Sequence, residues 1–195
     1  SLYWGMTKDL QSNVYLDSHN SVEALNSIQR AHEIYTKLSS DYYINVSELK
    51  LARLYCNNND FVKGDSLYNK LILSEHTDNK VRIYAKKAKA FLMATQHKPD
   101  HNVATCIYDA LIKENNISYF KYKDYWAYAY SLNNVGRKEE SKGIINQLKH
   151  IDTSGTADYW MYRIEKSNGN FDEALKCLEK STTKIDKEVM KALQQ

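Results

Sequence analysis

Asn168-Gly169-Asn170-Phe171-Asp172-Glu173-Ala174-Leu175 is the stretch whose reading decides the fold. It joins a turn glycine to an aromatic residue two positions on and a small residue three beyond that. Asn170 and Glu173 have the spacing of a capping box, which predicts a helix start at this point. Upstream, Val135-Gly136-Arg137-Lys138-Glu139-Glu140-Ser141 repeats the glycine and the small residue at the same offsets. Further back, Asn59-Asp60-Phe61-Val62-Lys63-Gly64 repeats the aromatic and the small residue.

Extended in both directions, the pattern resolves into four units of paired helices. The first reads Leu51, Ala52, Tyr55, then Phe61, Gly64, Tyr68, Leu71. The second reads Ala88, Phe91, then Ala104, Tyr108, Leu111, with extra residues in a turn over 96–102. The third reads Tyr128, Ala129, Leu132, Gly136, Ser141, Ile145, Leu148, and the fourth Met161, Tyr162, Gly169, Phe171, Ala174, Leu178, Ser181. Anchors Ala52, Ala88, Ala129 and Tyr162 on the first helices are 36, 41 and 33 residues apart. Anchors Gly64, Ala104, Ser141 and Ala174 on the second helices are 40, 37 and 33 apart. The insertions therefore shift turns without losing the frame. Small residues let two antiparallel helices approach, and Tyr, Phe and Leu fill the grooves between successive pairs. A single pair is too thin to bury its own apolar face, so stability requires stacking.

In this register, over residues 45–185, the chain resembles the tetratricopeptide repeat (TPR) family. The resemblance implies an all-α fold, a right-handed α-solenoid of antiparallel helix pairs (a TPR-like superhelix) with four repeats over 45–195. Residues 1–44 fit the repeat less well. Asn20-Ser21-Val22-Glu23 is another capped start, and Ala24, Leu25, Ile28, Ala31, Ile34, Tyr35 and Leu38 follow a helical stripe. The spacing predicts a helix over 20–39 and a shorter one over 6–16, together capping the first open face.

Composition sets the outer bounds. One proline and six glycines in 195 residues are too few for a turn-dense sandwich or barrel. A net charge of +3 does not by itself argue for nucleic acid. Cys56, Cys106 and Cys177 are too sparse for a disulfide framework and lack zinc-ligand spacing, so they read as buried thiols. No run of 18 apolar residues is present. The start at Ser1-Leu2-Tyr3-Trp4 reads as a processed or trimmed end.

Catalytic and nucleotide signatures are absent: no phosphate-binding glycine loop, GxSxG, HExxH or calcium loop occurs. The expectation is a non-enzyme with no cofactor and no metal. The one metal candidate, His97-Lys98-Pro99-Asp100-His101, places its histidines around a proline and reads as a solvated loop. Glu139-Glu140 and Asp172-Glu173 read as first-turn residues complementing the helix dipole. Lys80, Arg82, Lys86, Lys87 and Lys89 lie on one predicted helix and read as a solvated face, with an acidic partner as the alternative. Because comparable charge is not sustained elsewhere, nucleic-acid binding through Arg82, Lys86, Lys87 and Lys89 is disfavoured.

The resemblance also implies where a partner sits, since TPR arrays bind peptides or helices along the wall made by their first helices. Its outward positions fall on Leu49, Arg53 and Asn57; on Arg82, Ala85, Lys89 and Met93; on Lys123, Trp126, Tyr130, Asn133 and Asn134; and on Tyr159, Arg163 and Lys166. Arg, Tyr and Trp carry most of the energy at interfaces. The expected partner-binding set is Arg53, Arg82, Lys89, Lys123, Trp126, Tyr130, Asn133, Asn134, Tyr159 and Arg163, in a concave groove for a peptide-like or anionic segment. The competing structural reading packs Trp126 and Tyr159 against neighbouring helices. The chain departs from members that bind chaperone tails, whose two-carboxylate clamp needs lysine and asparagine where this chain has Leu49, Lys50 and Arg53.

The Tyr-, Asn- and Lys-rich composition is similar to extracytoplasmic TPR regions of membrane-tethered or lipid-anchored bacterial proteins. That likeness implies a periplasmic or cell-surface location, with a cytoplasmic one as the alternative. The function expected is a protein-interaction scaffold, in one form the sensing region of a longer regulator whose other segments carry any membrane contact. The second reading is a carbohydrate- or small-ligand-binding module of a surface lipoprotein, suggested by the aromatic first helices.

Overall fold

The computed structural model describes residues 1–18, 20–152 and 154–193, with side chains through residue 184. Its elements are α1 (Leu2–Asp17), α2 (Ser21–Lys37), α3 (Asp41–Asn57), α4 (Phe61–Leu73), α5 (Asn79–Thr95), α6 (His101–Lys113), a 3-10 turn (Ile117–Tyr119), α7 (Tyr122–Asn134), α8 (Lys138–Ile151), α9 (Thr156–Ser167) and α10 (Phe171–Leu193). Among the described residues there is no strand, and no helix is long and apolar enough to cross a membrane. The helices fall into two units, residues 1–89 and 90–195.

One turn joins the helices of three pairs and recurs after α2 and α6, at Ser39 and Asn115. Asn59, Gly136 and Gly169 all adopt the left-handed conformation, with φ of 63°, 86° and 79°. In each, the left-handed residue's N–H donates three residues back and the next N–H donates five back. Examples are Gly136 to Asn133 and Arg137 to Leu132, and Gly169 to Lys166 and Asn170 to Glu165. These bonds satisfy carbonyls left over at the helix end, and a residue that tolerates positive φ is required to form them. Side-chain caps then start the next helix: Asp60 accepts from Lys63 N–H at 3.3 Å and Asp100 from Val103 N–H at 3.0 Å. Asn20 caps α2 as the sequence predicts, accepting from Glu23 N–H. Asn170 stands at the predicted helix start, but its side-chain amide donates to Glu165 at 2.6 Å, tying the turn to α9.

In residues 1–89, α1 pairs with α2, α3 with α4, and α2 packs on α3. The α1 helix begins earlier than the predicted 6–16 because Gly5 does not interrupt it. Gly5 marks the crossing with α2, where an added Cβ would lie 2.6 Å from the Tyr35 ring. Ala24, Ile28, Ala31, Tyr35, Leu51 and Leu54 form the core there. In residues 90–195, α7 pairs with α8 and α9 with α10, around Ala129, Ile145, Leu148, Ala157, Met161, Ile164 and Cys177. Ser141 serves at its crossing as both small residue and donor, its Oγ donating to the Ala129 carbonyl at 2.7 Å.

The second repeat requires a correction. Ala88, the predicted anchor, is only half-buried, whereas Ala90 is fully buried. Counted from Ala52, Ala90, Ala129 and Tyr162, the helix ends five residues on every time (Asn57, Thr95, Asn134, Ser167). The carbonyl three residues on accepts the closing turn bond every time, Tyr55 from Asp60, Met93 from Asp100, Leu132 from Arg137 and Glu165 from Asn170. The frame of α5 is therefore two residues further along, and the extra residues lie in the 96–100 turn. His101 is accordingly not a loop residue but the first residue of α6.

The slip also overturns the solvated basic face. Ala85, predicted outward, is fully buried, and Lys87 is 5% exposed. Arg82 donates to the carbonyls of Ser74 and Thr77 at 2.9 and 3.1 Å, and Lys89 pairs with Asp65 at 3.1 Å and donates to Asn69.

Carboxylates of the first helices are buried and neutralised from the second. Glu48 meets Lys70 at 2.5 Å; Asp158 meets Lys184 at 2.7 Å and Lys149 at 3.4 Å; Glu165 meets Lys142 at 3.0 Å. Burial alone would raise the pKa of Asp158 and of Glu165, yet these lysines and Asn170 hold both below the ordinary carboxylate range. A carboxylate depressed in the folded state contributes its full stability above its unfolded value, near ~4. That contribution is lost as pH falls through the lower folded value. Asp158→Asn is thus expected to flatten the acid limb of a stability-versus-pH profile below about pH 5, with little change in its shape near neutrality. Urea midpoints measured across that range check it; an unchanged acid limb would contradict the ion-pair account.

Candidate partner-binding face

The outward positions of α7 and α9 converge in residues 90–195. Asp124-Tyr125-Trp126 in α7 and Asp158-Tyr159-Trp160 in α9 recur one residue out of the repeat frame, which matches Trp126 with Tyr159, and both helices present rings. Trp126 stacks on Trp160 with centroids 4.1 Å apart and planes within 3°. Phe91, from the end of α5, meets Trp126 edge-on at 5.4 Å, and Lys123 Nζ lies 5.1 Å from the Phe91 ring. Tyr159, 40% exposed, meets Trp160 edge-on at 5.9 Å.

Arg163 lies over this ladder, its guanidinium carbon 5.0 Å from the Trp160 ring and 5.7 Å from Tyr130. A cation over an aromatic face gains roughly 0.5–2 kcal/mol. The side chain is exposed, and no carboxylate pairs with it among the described residues. One turn on, Lys166 lies over Tyr162, donating to its hydroxyl at 3.2 Å. Asn133 joins the two helices, donating to Ser167 at 2.9 Å and accepting from Asn168 at 3.1 Å. Asn134 is exposed, with its amide returned to the Tyr130 carbonyl.

His101 closes the edge beside Tyr130, ring to ring at 5.3 Å, with Nδ1 3.3 Å from Ser131 Oγ. Burial pushes its pKa below the ordinary histidine value, against an opposing pull from Asp100. A neutral imidazole at neutral pH follows.

The structure therefore brings together Lys123, Trp126, Tyr130, Asn133, Tyr159 and Arg163 from the predicted set, with Asn134 at the margin. Trp126 is stacked on a neighbouring helix, as its structural reading had it, while Tyr159 keeps an exposed edge. In residues 1–89, Arg53 is exposed on α3, and Arg82 and Lys89 are engaged inside that unit. Phe91, His101 and Trp160 were missed. Phe91 takes the outward position that the uncorrected frame gave to Lys89. Trp160 had a signal in the repeated Asp-Tyr-Trp.

No family model and no curated protein matches the chain. Among solved structures it is similar to nearly identical TPR-like repeats of Podosopora anserina described as a kinesin light chain. A singly substituted form aligns with a TM-score of 0.74 at 16% identity, over 95% of this chain and 96% of that one. A second crystal structure of those repeats aligns with a TM-score of 0.71 at 14% identity, over 94% and 95%. At that identity the likeness shows the fold: a helical solenoid of TPR-like repeats.

Proposed function

We propose that this chain is a protein-interaction scaffold that takes an extended segment of a partner along the α7–α9 face. Arrays of this architecture use such surfaces for binding, and their repeats supply rigid walls. The observation that carries the reading is Arg163, pre-positioned over Trp160 and Tyr130, exposed, and without a carboxylate partner among the described residues. Aromatic and arginine side chains of restricted mobility are the usual anchors of interfaces. The carbohydrate reading is weaker because a sugar needs an open ring face, and Trp160 has Trp126 on its ring and Arg163 over it.

The test is selection of peptides from a random displayed library on the immobilised chain. Selected peptides are expected to lose roughly tenfold or more in affinity for Tyr159→Ala and for Arg163→Ala. Arg53→Ala, outside this face, is expected to bind as the parent does. Unchanged affinity in both face variants would remove the face from the reading. The Tyr-, Asn- and Lys-rich composition supports placing the scaffold outside the cytoplasm in a longer, membrane-tethered regulator. Protease accessibility of the full-length protein in spheroplasts tests that placement, and complete protection would reject it.

A further inference from the structure

We infer that the segment taken by the α7–α9 face is acidic, presenting side-chain carboxylates to Arg163 and Lys166, an inference that rests on the docking reading above. The sign of the charge left at the surface carries it. Helix α7 has one carboxylate, Asp124, and α9 has two, Asp158 and Glu165; they are 1%, 3% and 4% exposed. Asp124 accepts from the Lys121 backbone N–H at 2.8 Å. Asp158 is held by lysines of α8 and α10, and Glu165 by Lys142 of α8. Every negative charge of the two helices is thus withdrawn from the outward face, while Arg163 and Lys166 remain exposed on it with aromatic neighbours.

The geometry favours carboxylates in particular. A guanidinium resting on rings has lost part of its conformational freedom before any partner arrives, so less is lost when a planar carboxylate pairs with it. Arg163 and Lys166 are separated by about 4.5 Å along the helix axis at 1.5 Å per residue. An extended peptide advances about 3.3–3.6 Å per residue, so acids one or two residues apart reach both cations. A single-stranded nucleic acid fits less well. Bases need open aromatic platforms, and the central ring, Trp160, is covered by Trp126 and Arg163.

The experiment uses peptides selected from the same random library, their isosteres with Gln and Asn for Glu and Asp, and oligothymidylate, all measured by fluorescence anisotropy on the full chain. Selected peptides are expected to be rich in Asp and Glu, and their neutral isosteres to bind roughly tenfold weaker. Arg163→Gln, which keeps most of the stem over the rings, is expected to lower affinity for the acidic peptides severalfold more than it lowers affinity for the isosteres. Affinity for acidic peptides is also expected to fall with added salt. If selected peptides are neutral or basic yet still sensitive to Tyr159→Ala, the acidic inference is overturned and the docking reading stands. If no peptide is sensitive to Tyr159→Ala or to Arg163→Ala, both fall. Oligothymidylate binding tighter than any selected peptide would overturn the inference in favour of nucleic acid.

Discussion

Tyr108→Ala is expected to lower the stability of residues 90–195 by about 3–5 kcal/mol, the range for removing a buried aromatic ring. Tyr108 is fully buried, with Phe120 at 5.5 Å and Tyr128 at 5.2 Å between centroids. Its loss would open a void where α6 packs on α7. The neighbourhood is also held by polar bonds that depend on the rings staying in place. The Tyr128 hydroxyl donates to Asp109 at 2.5 Å, and Asp109 accepts from Arg137 at 2.6 Å. Tyr108→Phe should behave in the opposite way. The Tyr108 hydroxyl is buried without a hydrogen-bond partner among the described residues, and burial raises its pKa well above the ordinary tyrosine value. Removing an unsatisfied hydroxyl relieves its desolvation cost, so Tyr108→Phe is expected to lie within about 0.5 kcal/mol of the parent or to exceed it. Urea unfolding followed by tryptophan emission measures both, since Trp126 and Trp160 lie in this unit. A loss above about 1 kcal/mol in Tyr108→Phe would show that the hydroxyl has a partner.

Helix pairing was legible because its signals are local. A residue tolerant of positive φ at Asn59, Gly136 and Gly169, followed five residues on by a small residue, specifies a turn and a crossing without reference to distant contacts. The second repeat was misplaced by two residues for an equally physical reason. Helix α5 offers alanine at 85, 88, 90 and 94, so several frames place a small side chain at the crossing. Where the helix ends, at Thr95, and where its closing bond falls, on Met93, distinguish Ala90 from Ala88. Nor does sequence hydrophilicity reveal that Lys87 and Lys89 are drawn inward, because long aliphatic stems let a lysine bury most of itself while its amine finds a partner. That error carried into the site: the outward position belongs to Phe91, and the basic stretch contributes to packing within residues 1–89. On α7 and α9 the outward register held, with Trp126 and Tyr159 at corresponding positions, although the Asp-Tyr-Trp triplet recurs one residue out of that frame. What spacing could not show was that Trp160 would stack on Trp126, which depends on how far one helix is rotated against the next.

Gly64→Ala is expected to cost about 1–3 kcal/mol, although alanine is the better helix former by nearly 1 kcal/mol. Gly64 lies inside α4 with ordinary helical geometry, so no conformational requirement for glycine opposes the change. The obstacle is the approach of α3. A Cβ on Gly64 would lie 2.9 Å from the Ala52 carbonyl oxygen and would overlap the Cys56 sulfur. The sulfur can be moved by a side-chain rotation or removed altogether, but the carbonyl belongs to the backbone of α3. Gly64→Ala with Cys56→Ala should therefore recover only part of the loss. Gly143 supplies the contrast: it is exposed within α8, and a Cβ added there meets nothing within 4 Å. Gly143→Ala should raise stability by up to about 1 kcal/mol, the helix-propensity gain alone. Two glycine-to-alanine changes in helix interiors are thus expected to shift the thermal midpoint in opposite directions, as measured by circular dichroism. The difference between them isolates the cost of close approach from backbone preference. A Gly64→Ala chain as stabilised as Gly143→Ala would mean that α3 and α4 stand further apart than their packing requires, and the small-residue crossing would lose its role in the repeat.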